Sequence, residues 1–279
     1  MAISIYIATQ EEHEFPGHPA YRPILVGNAG TCPQIGLNDR TGDSISEKNP
    51  LYCELTGHYW IWKNDRESDI VGLCHYRRYL WLNDIPRGLC RRAYSSVADC
   101  ARFLDTKSLG KMLERRDAIL PRGYAFSSDD IKAQFIRYHG PEHYELMVGA
   151  IGRVSPEYLG SVDRVFGRRW VYFANLLVAG KALFDDYSAW LFAVLEEVER
   201  HLDPAEKKNA RILGFMGERL LNLYVAHNGL DVVEVPQIYI TEGKEDGGDD
   251  LHVDARYVKR RYFPGLLTLE ERVRKALRR

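Results

Sequence analysis

The sequence predicts an α/β fold, a mixed sheet flanked by helices, because short apolar runs alternate with longer segments of helical periodicity. Residues 70–74 form a continuous apolar run, the pattern of an interior strand that is covered on both faces. Residues 183–201 instead carry apolar side chains at helical spacing. The alternation extends over residues 1–240, which we predict to form one domain.

Composition excludes several classes of protein. The chain has 279 residues, 45% of them hydrophobic, and can bury a large core. No apolar run approaches the roughly 18–20 residues needed to cross a bilayer, and residues 1–4 lead into a strand without a basic leader. A formal net charge of −1 argues against a generally basic nucleic-acid-binding surface. We therefore expect a cytoplasmic, reduced protein, since its five cysteines form no CxxC pair.

The first part of the chain contains two predicted strands, a polar loop and a helix. Strands are expected at residues 3–8 and 23–27, and Thr9 follows the first of them. The loop that follows contains Asp39 and Asp43, which either bind a nucleoside or belong to a plain surface loop. Asn49 before proline fits a helix N-cap followed by proline at the first helical position, so one helix is predicted over residues 51–62.

The strand at residues 70–74 ends in a histidine, a tyrosine and two arginines, Arg77 and Arg78. Ligands of open α/β sheets bind outside the carboxyl ends of the strands. Two guanidinium groups at that place predict an anionic ligand such as a diphosphate. The alternative is a solvated pair of surface arginines.

The middle of the chain continues the alternation. Residues 83–105 show no clean periodicity and are predicted to be a loop that closes over the ligand. A helix at 108–116, a strand at 117–121 and helices at 127–139 and 141–151 are expected to follow, in that order. His139 and His143 do not predict a metal site, because glycine and proline interrupt the helix and no third ligand is evident.

The last part of the predicted domain carries a polar row. Residues 172–179 are predicted to be a strand in which Asn175 requires a hydrogen-bond partner. In the predicted helix at 208–227, Arg211, Glu218 and Asn222 fall on one line, as a site or as a surface network. Two glycines beside this row each cost a helix about 1 kcal/mol, which is explained if a backbone or a substrate comes close. A final strand is expected at 232–240.

The end of the chain differs from the rest. Residues 241–255 are predicted to be a flexible acidic linker. Residues 256–279 carry nine Lys or Arg and form a basic amphipathic C-terminal helical tail. Such a tail either lies on the anionic inner face of the cell membrane as a peripheral contact or docks on its own domain.

Five segments form a recognisable set: TGDSISEKNPLYCELTGHYWIWKN, DIVGLCHYRRYL, DAILP, ANLLVAGKALFDDYSAWLF and RILGFMGERLLNLYVAHNGLDVVEVP. Together they resemble a bacterial capsular and exopolysaccharide glycosyltransferase family, long catalogued as a domain of unknown function, over about residues 3–240. The resemblance implies a GT-A-like, Rossmann-type fold and a nucleotide-sugar donor. Some members of the family are linked to galactofuranose transfer.

The family pattern is matched at Asp43, Ser46, Lys48, Asn49, Glu54, His75, Tyr76, Arg77, Arg78, Tyr79, Asn175, Glu218 and Arg219. It is not matched at His143, where an aspartate is expected, or at Tyr172-Phe173, where a tyrosine-proline pair is expected. These departures put the identity of the acceptor in doubt more than the type of reaction.

The resemblance implies inverting transfer from a UDP-linked donor, with UDP-galactofuranose as a candidate, to a saccharide or lipid-linked oligosaccharide acceptor of surface polysaccharide synthesis. Glu218 is the expected general base, because its helix resembles the late Gly-Glu-Asp helix of many inverting glycosyltransferases. The expected site comprises catalytic Glu218 and His75; donor-binding Thr9, Asp39, Asp43, Lys48, Asn49, Arg77 and Arg78; and acceptor-binding His139, Asn175 and Arg211.

The same comparison bears on metal dependence. A GT-A enzyme usually ends a central strand in an Asp-x-Asp motif that holds a divalent ion, whereas this strand ends in His75, Tyr76, Arg77 and Arg78. Guanidinium groups can neutralise a leaving diphosphate by bidentate hydrogen bonds. We therefore expect no cofactor and no metal ligand. Binding of a divalent ion stays an alternative, in which a distant loop residue such as Asp84 supplies a ligand.

Two other classes of function compete with this interpretation. A non-catalytic nucleotide- or sugar-binding module would need no general base. A nucleic-acid-binding protein would use Arg77, Arg78, Arg91 and Arg92 with nearby tyrosines as stacking platforms, and its binding would be steeply salt-dependent. The motifs favour the enzyme, without a nucleic-acid partner.

Overall fold

The computed structural model describes residues 1–27, 35–84, 92–203 and 211–240. The predicted acidic linker (241–255), the predicted basic tail (256–279) and Arg91 lie outside the described residues, as do residues 85–90 of the predicted lid.

The strands are β1 (Ile3–Thr9), β2 (Tyr21–Leu25), β3 (Ile70–His75), β4 (Arg78–Leu80), β5 (Arg92–Ser95), β6 (Ala118–Pro121), β7 (Tyr124–Ala125), β8 (Trp170–Val171), β9 (Leu177–Gly180), β10 (Val232–Val235) and β11 (Gln237–Ile240). The helices are α1 (Asn49–Tyr52), α2 (Leu55–Asn64), α3 (Thr106–Leu113), α4 (Ile131–His139), α5 (Pro141–Val154), α6 (Leu159–Phe166), α7 (Lys181–His201) and α8 (Ile212–His227).

The main sheet has the strand order β2-β1-β3-β9-β6-β10, in which only β9 runs antiparallel to its neighbours. After His75 the chain reverses into β4, which pairs with β11, and β11 also pairs in parallel with β5. The sheet is therefore mixed, as predicted. Because β9 is reversed, its N-terminal end lies at the same edge as the carboxyl ends of β3 and β6.

The two faces of the sheet are both buried, which explains the unbroken apolar sequence of β3. Val71 and Leu73 pack into the larger core with the helical layer of α1, α2 and α5–α8. Ile70 and Cys74 pack into the smaller core on the opposite face, with α3. Alternating side chains of one strand thus enter two different cores.

The predicted single helix at 51–62 is wrong, because the chain breaks at Cys53, which has a φ of 53°. The Asn49 side chain holds this break by donating from Nδ2 to the Cys53 carbonyl at 2.8 Å and to the Thr56 hydroxyl at 3.1 Å. Asn49 is therefore the first residue of α1 and not its N-cap, which is Lys48. Gly217 of α8 lies against α2, since a Cβ there would come within 2.8 Å of Leu55.

The predicted strand at 172–179 begins only at Leu177. Residues 172–176 leave the sheet, and Ala174 and Asn175 have φ values of 74° and 50°. The single strand predicted at 232–240 is likewise two strands, because Pro236 lacks the N–H that would continue the ladder.

Other boundaries also differ from the predictions. β2 occupies Tyr21–Leu25 and not residues 23–27, and α4 begins at Ile131 because Asp130 caps it. The described part of the predicted loop at 83–105 contains β5 and a 3-10 helix at Ala98–Phe103. No helix within the described ranges is long and apolar enough to span a membrane.

We expect Gly72→Ala to destabilise the sheet. A Cβ at Gly72 would lie 2.6 Å from Val178 Cγ2 and 2.9 Å from Ile5 Cδ1. Overpacking of this kind costs about 1–3 kcal/mol of unfolding free energy. The matched control is Gly160→Ala in α6, where an added Cβ meets nothing within 4 Å. This substitution should stabilise the helix slightly. Denaturant unfolding of both variants is the measurement; an unchanged midpoint for Gly72→Ala would contradict this packing.

Candidate functional site

The carboxyl ends of β1 and β3 open into a cleft of about 410 Å³, which we call the strand-end cleft. Its lining residues are Ala8, Thr9, Gln10, Val26, Asn49, Pro50, Cys53, Glu54, His75, Tyr76 and Arg211. The cleft is formed where the sheet meets α1 and the residue before α8. It thus joins Thr9, Asn49 and His75, which the sequence predicts to share a site.

Hydrogen bonds fix one wall of this cleft. Gln10 Nε2 donates to Asn49 Oδ1 at 2.7 Å, while Asn49 also holds the break between α1 and α2. Thr9 is 2% exposed, and its hydroxyl donates to the Glu11 carbonyl at 2.6 Å. The polar atoms of this wall are therefore positioned by the fold before any ligand binds.

Arg211 is the one arginine or lysine among the described residues that line the strand-end cleft. It precedes α8 with a left-handed φ of 49°, and its N–H donates to the Pro50 carbonyl at 3.2 Å. Its side-chain Nε donates to Cys53 Sγ at 3.3 Å. A thiol is a weak acceptor, so the guanidinium keeps most of its capacity to bind an anion. The sequence assigned Arg211 to the acceptor, but the structure places it with Thr9 and Asn49.

Glu54 and His75 line the inner end of the cleft, and Asn175 contacts Glu54 there. Asn175 has the partners that its sequence position requires: Nδ2 donates to Glu54 Oε1 at 2.7 Å and to the Gly214 carbonyl at 3.1 Å. His75 Nε2 lies 3.9 Å from Glu54 Oε1. Burial lowers the pKa of His75, and the charge of Glu54 opposes this shift only in part. The imidazole is therefore neutral at pH 7.

Glu218 lies on the other side of the segment that carries Asn175. Its carboxylate accepts the Ala174 N–H at 2.7 Å and an Arg219 Nη1–H at 2.6 Å, with 15% of the side chain exposed. Burial raises the pKa of Glu218; Arg219 opposes the shift and Glu54 adds to it. Arg219 is 2% exposed, and its Nη2 donates to Gln134 Oε1 at 2.6 Å. A carboxylate with a raised pKa is suited to take up a proton near neutral pH.

Glu218 and Arg219 line a second space of about 460 Å³, the aromatic cavity. The other lining residues are Tyr124, Phe126, Ser127, Ser128, Asp129, Gln134, Arg137, Tyr138, His139, Phe173 and Phe215. The rings of His139 and Phe215 stack at 4.5 Å. Burial and the Arg219 charge lower the pKa of His139 to about 4, so its ring is neutral at pH 7. Aromatic walls with a few polar groups are typical of ligand cavities.

The two predicted arginines after β3 separate in the structure. Arg77 is exposed in the turn, with its guanidinium 5.0 Å from the centre of the Tyr76 ring. Arg78 instead lines a third cavity, of about 220 Å³, which it shares with Glu218. Neither arginine lines the strand-end cleft.

Asp39, Asp43 and Lys48 are engaged in contacts within the protein and do not line the strand-end cleft. Asp39 is fully buried and accepts hydrogen bonds from the Gly27 N–H at 3.1 Å and the Ser46 hydroxyl at 2.5 Å. Asp43 is exposed and accepts from Tyr59, and Lys48 pairs with Glu199 at 2.9 Å. Their roles in donor binding stay predictions.

Sequence reasoning missed Gln10, Cys53 and most of the aromatic cavity. The missed rings lie far apart in the sequence, for example at Phe126 and Phe215, and no local spacing connects them. The glycines of α8 indicated that another part of the chain comes close to this helix. That part includes Cys53, because a Cβ at Gly214 would come within 3.2 Å of it. Within the described ranges, no three His, Cys, Asp or Glu side chains are grouped as a metal site requires.

The fold and its cavities at the strand ends define a GT-A-like α/β protein, and comparison with solved structures confirms this class. The chain is similar to the structure titled WbbM bifunctional glycosyltransferase, apo form, with 28% sequence identity and a TM-score of 0.77. The match covers 87% of this chain and 46% of that chain, so this chain spans about half of that protein. No curated protein sequence matches it.

The family is shown by a match over most of the chain. The family described as "Domain of unknown function (DUF4422)" matches residues 4–229, and the chain belongs to this family. The matched range contains the strand-end cleft, the aromatic cavity and Glu218.

We expect the effects of substituting Glu218 and Arg219 on the free energy of unfolding to be strongly coupled. Arg219→Met leaves the buried Glu218 carboxylate without its charge partner, which typically costs about 3–5 kcal/mol of unfolding free energy. The double variant Glu218→Gln/Arg219→Met should therefore cost about 1–3 kcal/mol less than the sum of the two single variants. A denaturant-unfolding cycle measures this difference, and additive free energies would contradict the ion pair.

Proposed function

We propose that this protein is a glycosyltransferase that moves a sugar from a nucleotide-sugar donor to a saccharide acceptor with inversion. The observation that carries the proposal is the position of Glu218. Its carboxylate lines the aromatic cavity and binds the N–H of Ala174, while the next residue, Asn175, binds Glu54 in the strand-end cleft. A carboxylate with a raised pKa thus lines one ligand-sized cavity and is linked, through Ala174 and Asn175, to the wall of a second.

We assign the donor to the strand-end cleft. Its volume of about 410 Å³ is in the usual range for small-molecule sites, and it lies at the carboxyl ends of parallel strands. Arg211 would neutralise the diphosphate, and Thr9 and Asn49 would contact the nucleotide. A UDP-linked donor, with UDP-galactofuranose as a candidate, follows from the family resemblance.

We assign the acceptor to the aromatic cavity, where the rings of Phe173 and Phe215 offer apolar faces to a sugar and His139 offers a polar edge. Asn175 would position Glu54 and the segment above Glu218, since it does not line this cavity. The acceptor would be a saccharide or a lipid-linked oligosaccharide of surface polysaccharide synthesis. Peripheral membrane contact through residues 256–279 of a cytoplasmic protein belongs to the same proposal.

The reaction would proceed in one displacement. Glu218 accepts the proton of the acceptor hydroxyl while that oxygen forms a bond to the anomeric carbon. The bond from the anomeric carbon to the diphosphate oxygen breaks at the same time, and Arg211 stabilises the charge that develops on the leaving group. Neutral His75 would keep Glu54 oriented at the inner end of the cleft. No step requires a metal ion.

We expect Glu218→Gln to abolish most of the turnover. Glutamine keeps the size of the side chain but cannot accept the proton, so turnover should fall about 10²- to 10⁴-fold with little change in donor affinity. The measurement is release of nucleoside diphosphate from UDP-sugars in the presence of a saccharide acceptor. Glu114→Gln, at the exposed end of α3, is the matched control.

Near-normal turnover of Glu218→Gln would exclude the general-base role. In the unchanged enzyme, turnover should fall as the pH drops through the raised pKa of Glu218, since protonation removes the base. A non-catalytic binding module, the second candidate, would bind the nucleotide-sugar equally in both proteins and would release no diphosphate from either.

We expect Arg211→Gln to weaken binding of UDP at least tenfold while binding of uridine is unchanged, because the guanidinium contacts the diphosphate and not the nucleoside. Calorimetric titration, repeated in excess chelator, measures both affinities and should give the same result with and without the chelator. Arg77→Gln in the same titration tests the sequence-based assignment of Arg77. Equal losses for UDP and uridine, or dependence on added magnesium or manganese, would contradict the role of Arg211.

A further inference from the structure

The third cavity, of about 220 Å³, has an unusual polar lining. We call it the arginine pocket, and its polar side chains are Arg78, Arg122, Gln237, Tyr239 and Glu218. Neither the sequence motifs nor the proposed reaction accounts for Arg122, Gln237 or Tyr239. The pocket is too small for a nucleotide, but it has room for one carboxylate or phosphate group.

A buried donor in this pocket has no partner. Gln237 is 7% exposed, and its Nε2 makes no hydrogen bond among the described residues. Its Oε1 accepts from the Tyr239 hydroxyl at 2.9 Å. An unpaired buried N–H group costs free energy, and an acceptor atom of a ligand would remove that cost.

The sheet holds the donors of the pocket in fixed positions. Arg78 and Tyr239 are register partners in the β4–β11 ladder, and Gln237 lies two residues before Tyr239 on the same side of β11. Arg122 follows β6, where its N–H donates to the Val235 carbonyl at 2.8 Å. Strands β4 and β11 and the residue after β6 thus bring two guanidinium groups and an amide to one small space.

Two guanidinium groups and one carboxylate line this space. Arg78 and Arg122 contribute two positive charges, and the negative charge of Glu218 is paired with Arg219. Guanidinium groups bind carboxylate and phosphate with short, charge-assisted hydrogen bonds. The chemical class that fits the pocket is therefore an oxyanion.

The neighbours of the pocket indicate which substrate carries this oxyanion. Tyr124, Phe173 and Glu218 line both the arginine pocket and the aromatic cavity. No residue of the pocket lines the strand-end cleft. An anionic group here would thus belong to the molecule in the aromatic cavity and not to the donor diphosphate.

We propose that the arginine pocket binds the carboxylate or phosphate of an acidic acceptor whose sugar ring lies in the aromatic cavity. This inference rests on the proposed function and adds the chemical class of its acceptor. Binding the anionic group beside Glu218 would fix which hydroxyl of the sugar meets the base, so the pocket would also select the position of the new linkage.

The test is calorimetric titration of the full chain with methyl glucuronide, glucose 6-phosphate and methyl glucoside. At least one anionic sugar should bind ten times more tightly than the neutral glycoside, and the two anionic sugars distinguish a carboxylate from a phosphate. Arg122→Gln and Gln237→Leu should each remove most of this advantage, and Arg122→Lys should retain part of it. Arg66→Gln, an exposed arginine outside the cavities, should retain all of it.

Equal affinity for the three sugars, or no binding of any of them, would overturn the inference. So would a variant pattern in which Arg122→Gln weakens UDP and leaves the anionic sugar unaffected, since the pocket would then serve the donor. UDP binding and turnover of UDP-sugars are measured on the same proteins. Loss of the acceptor preference with normal donor turnover contradicts only this inference, whereas absence of donor binding and turnover contradicts the proposed function.

Discussion

The hydrogen bond from the Ala174 N–H to the Glu218 carboxylate fixes the segment around which the strand-end cleft, the aromatic cavity and the arginine pocket are arranged. Ala174 and Asn175 both have left-handed φ values, which cost of order 1–3 kcal/mol each for residues other than glycine. Such a segment persists only if its surroundings fix it. Asn222 does so by binding both backbone groups of Tyr172 at 2.9 Å, and Glu218 binds the next free N–H.

This strained segment separates three spaces with different chemistry. On one side Asn175 orients Glu54 in the strand-end cleft, and on the other side Glu218 faces the aromatic cavity and the arginine pocket. Burial raises the pKa of Glu218, and the nearby charge of Glu54 adds to this shift. One short piece of backbone therefore sets the relative position of the proposed donor, acceptor and base, and a shift of the segment would disturb all three.

The sequence predicted the elements whose pattern is local. The apolar run of β3 and the helical periodicity of α7 were sufficient to predict these two elements, because each pattern results from the burial of a single strand or helix. The break at Cys53 and the turn at Ala174 were missed, since neither follows from apolar periodicity: Asn49, four residues earlier, holds the first, and Glu218, from a distant part of the chain, holds the second. Cys53 and Ala174 are of residue types without a preference for a left-handed backbone, whereas asparagine, as at Asn175, adopts it more readily.

The candidate site shows the same limit. Glu218 was predicted because it lies in a motif, and Thr9, Asn49 and His75, which line one cleft, because strand ends and a helix start meet in an α/β fold. Charged residues in loops were less informative: Asp39 and Lys48 have the chemistry of ligand-binding groups, but their observed hydrogen bonds are to Ser46 and Glu199. Residue type alone did not distinguish these contacts from binding to a nucleotide.

The most direct test of the account is a crystal structure of the protein with UDP and a saccharide bound together. We expect the diphosphate in the strand-end cleft beside Arg211, the sugar against Phe173 and Phe215, and a sugar hydroxyl within hydrogen-bonding distance of Glu218. A saccharide bound out of reach of Glu218, or UDP bound outside the strand-end cleft, would contradict it.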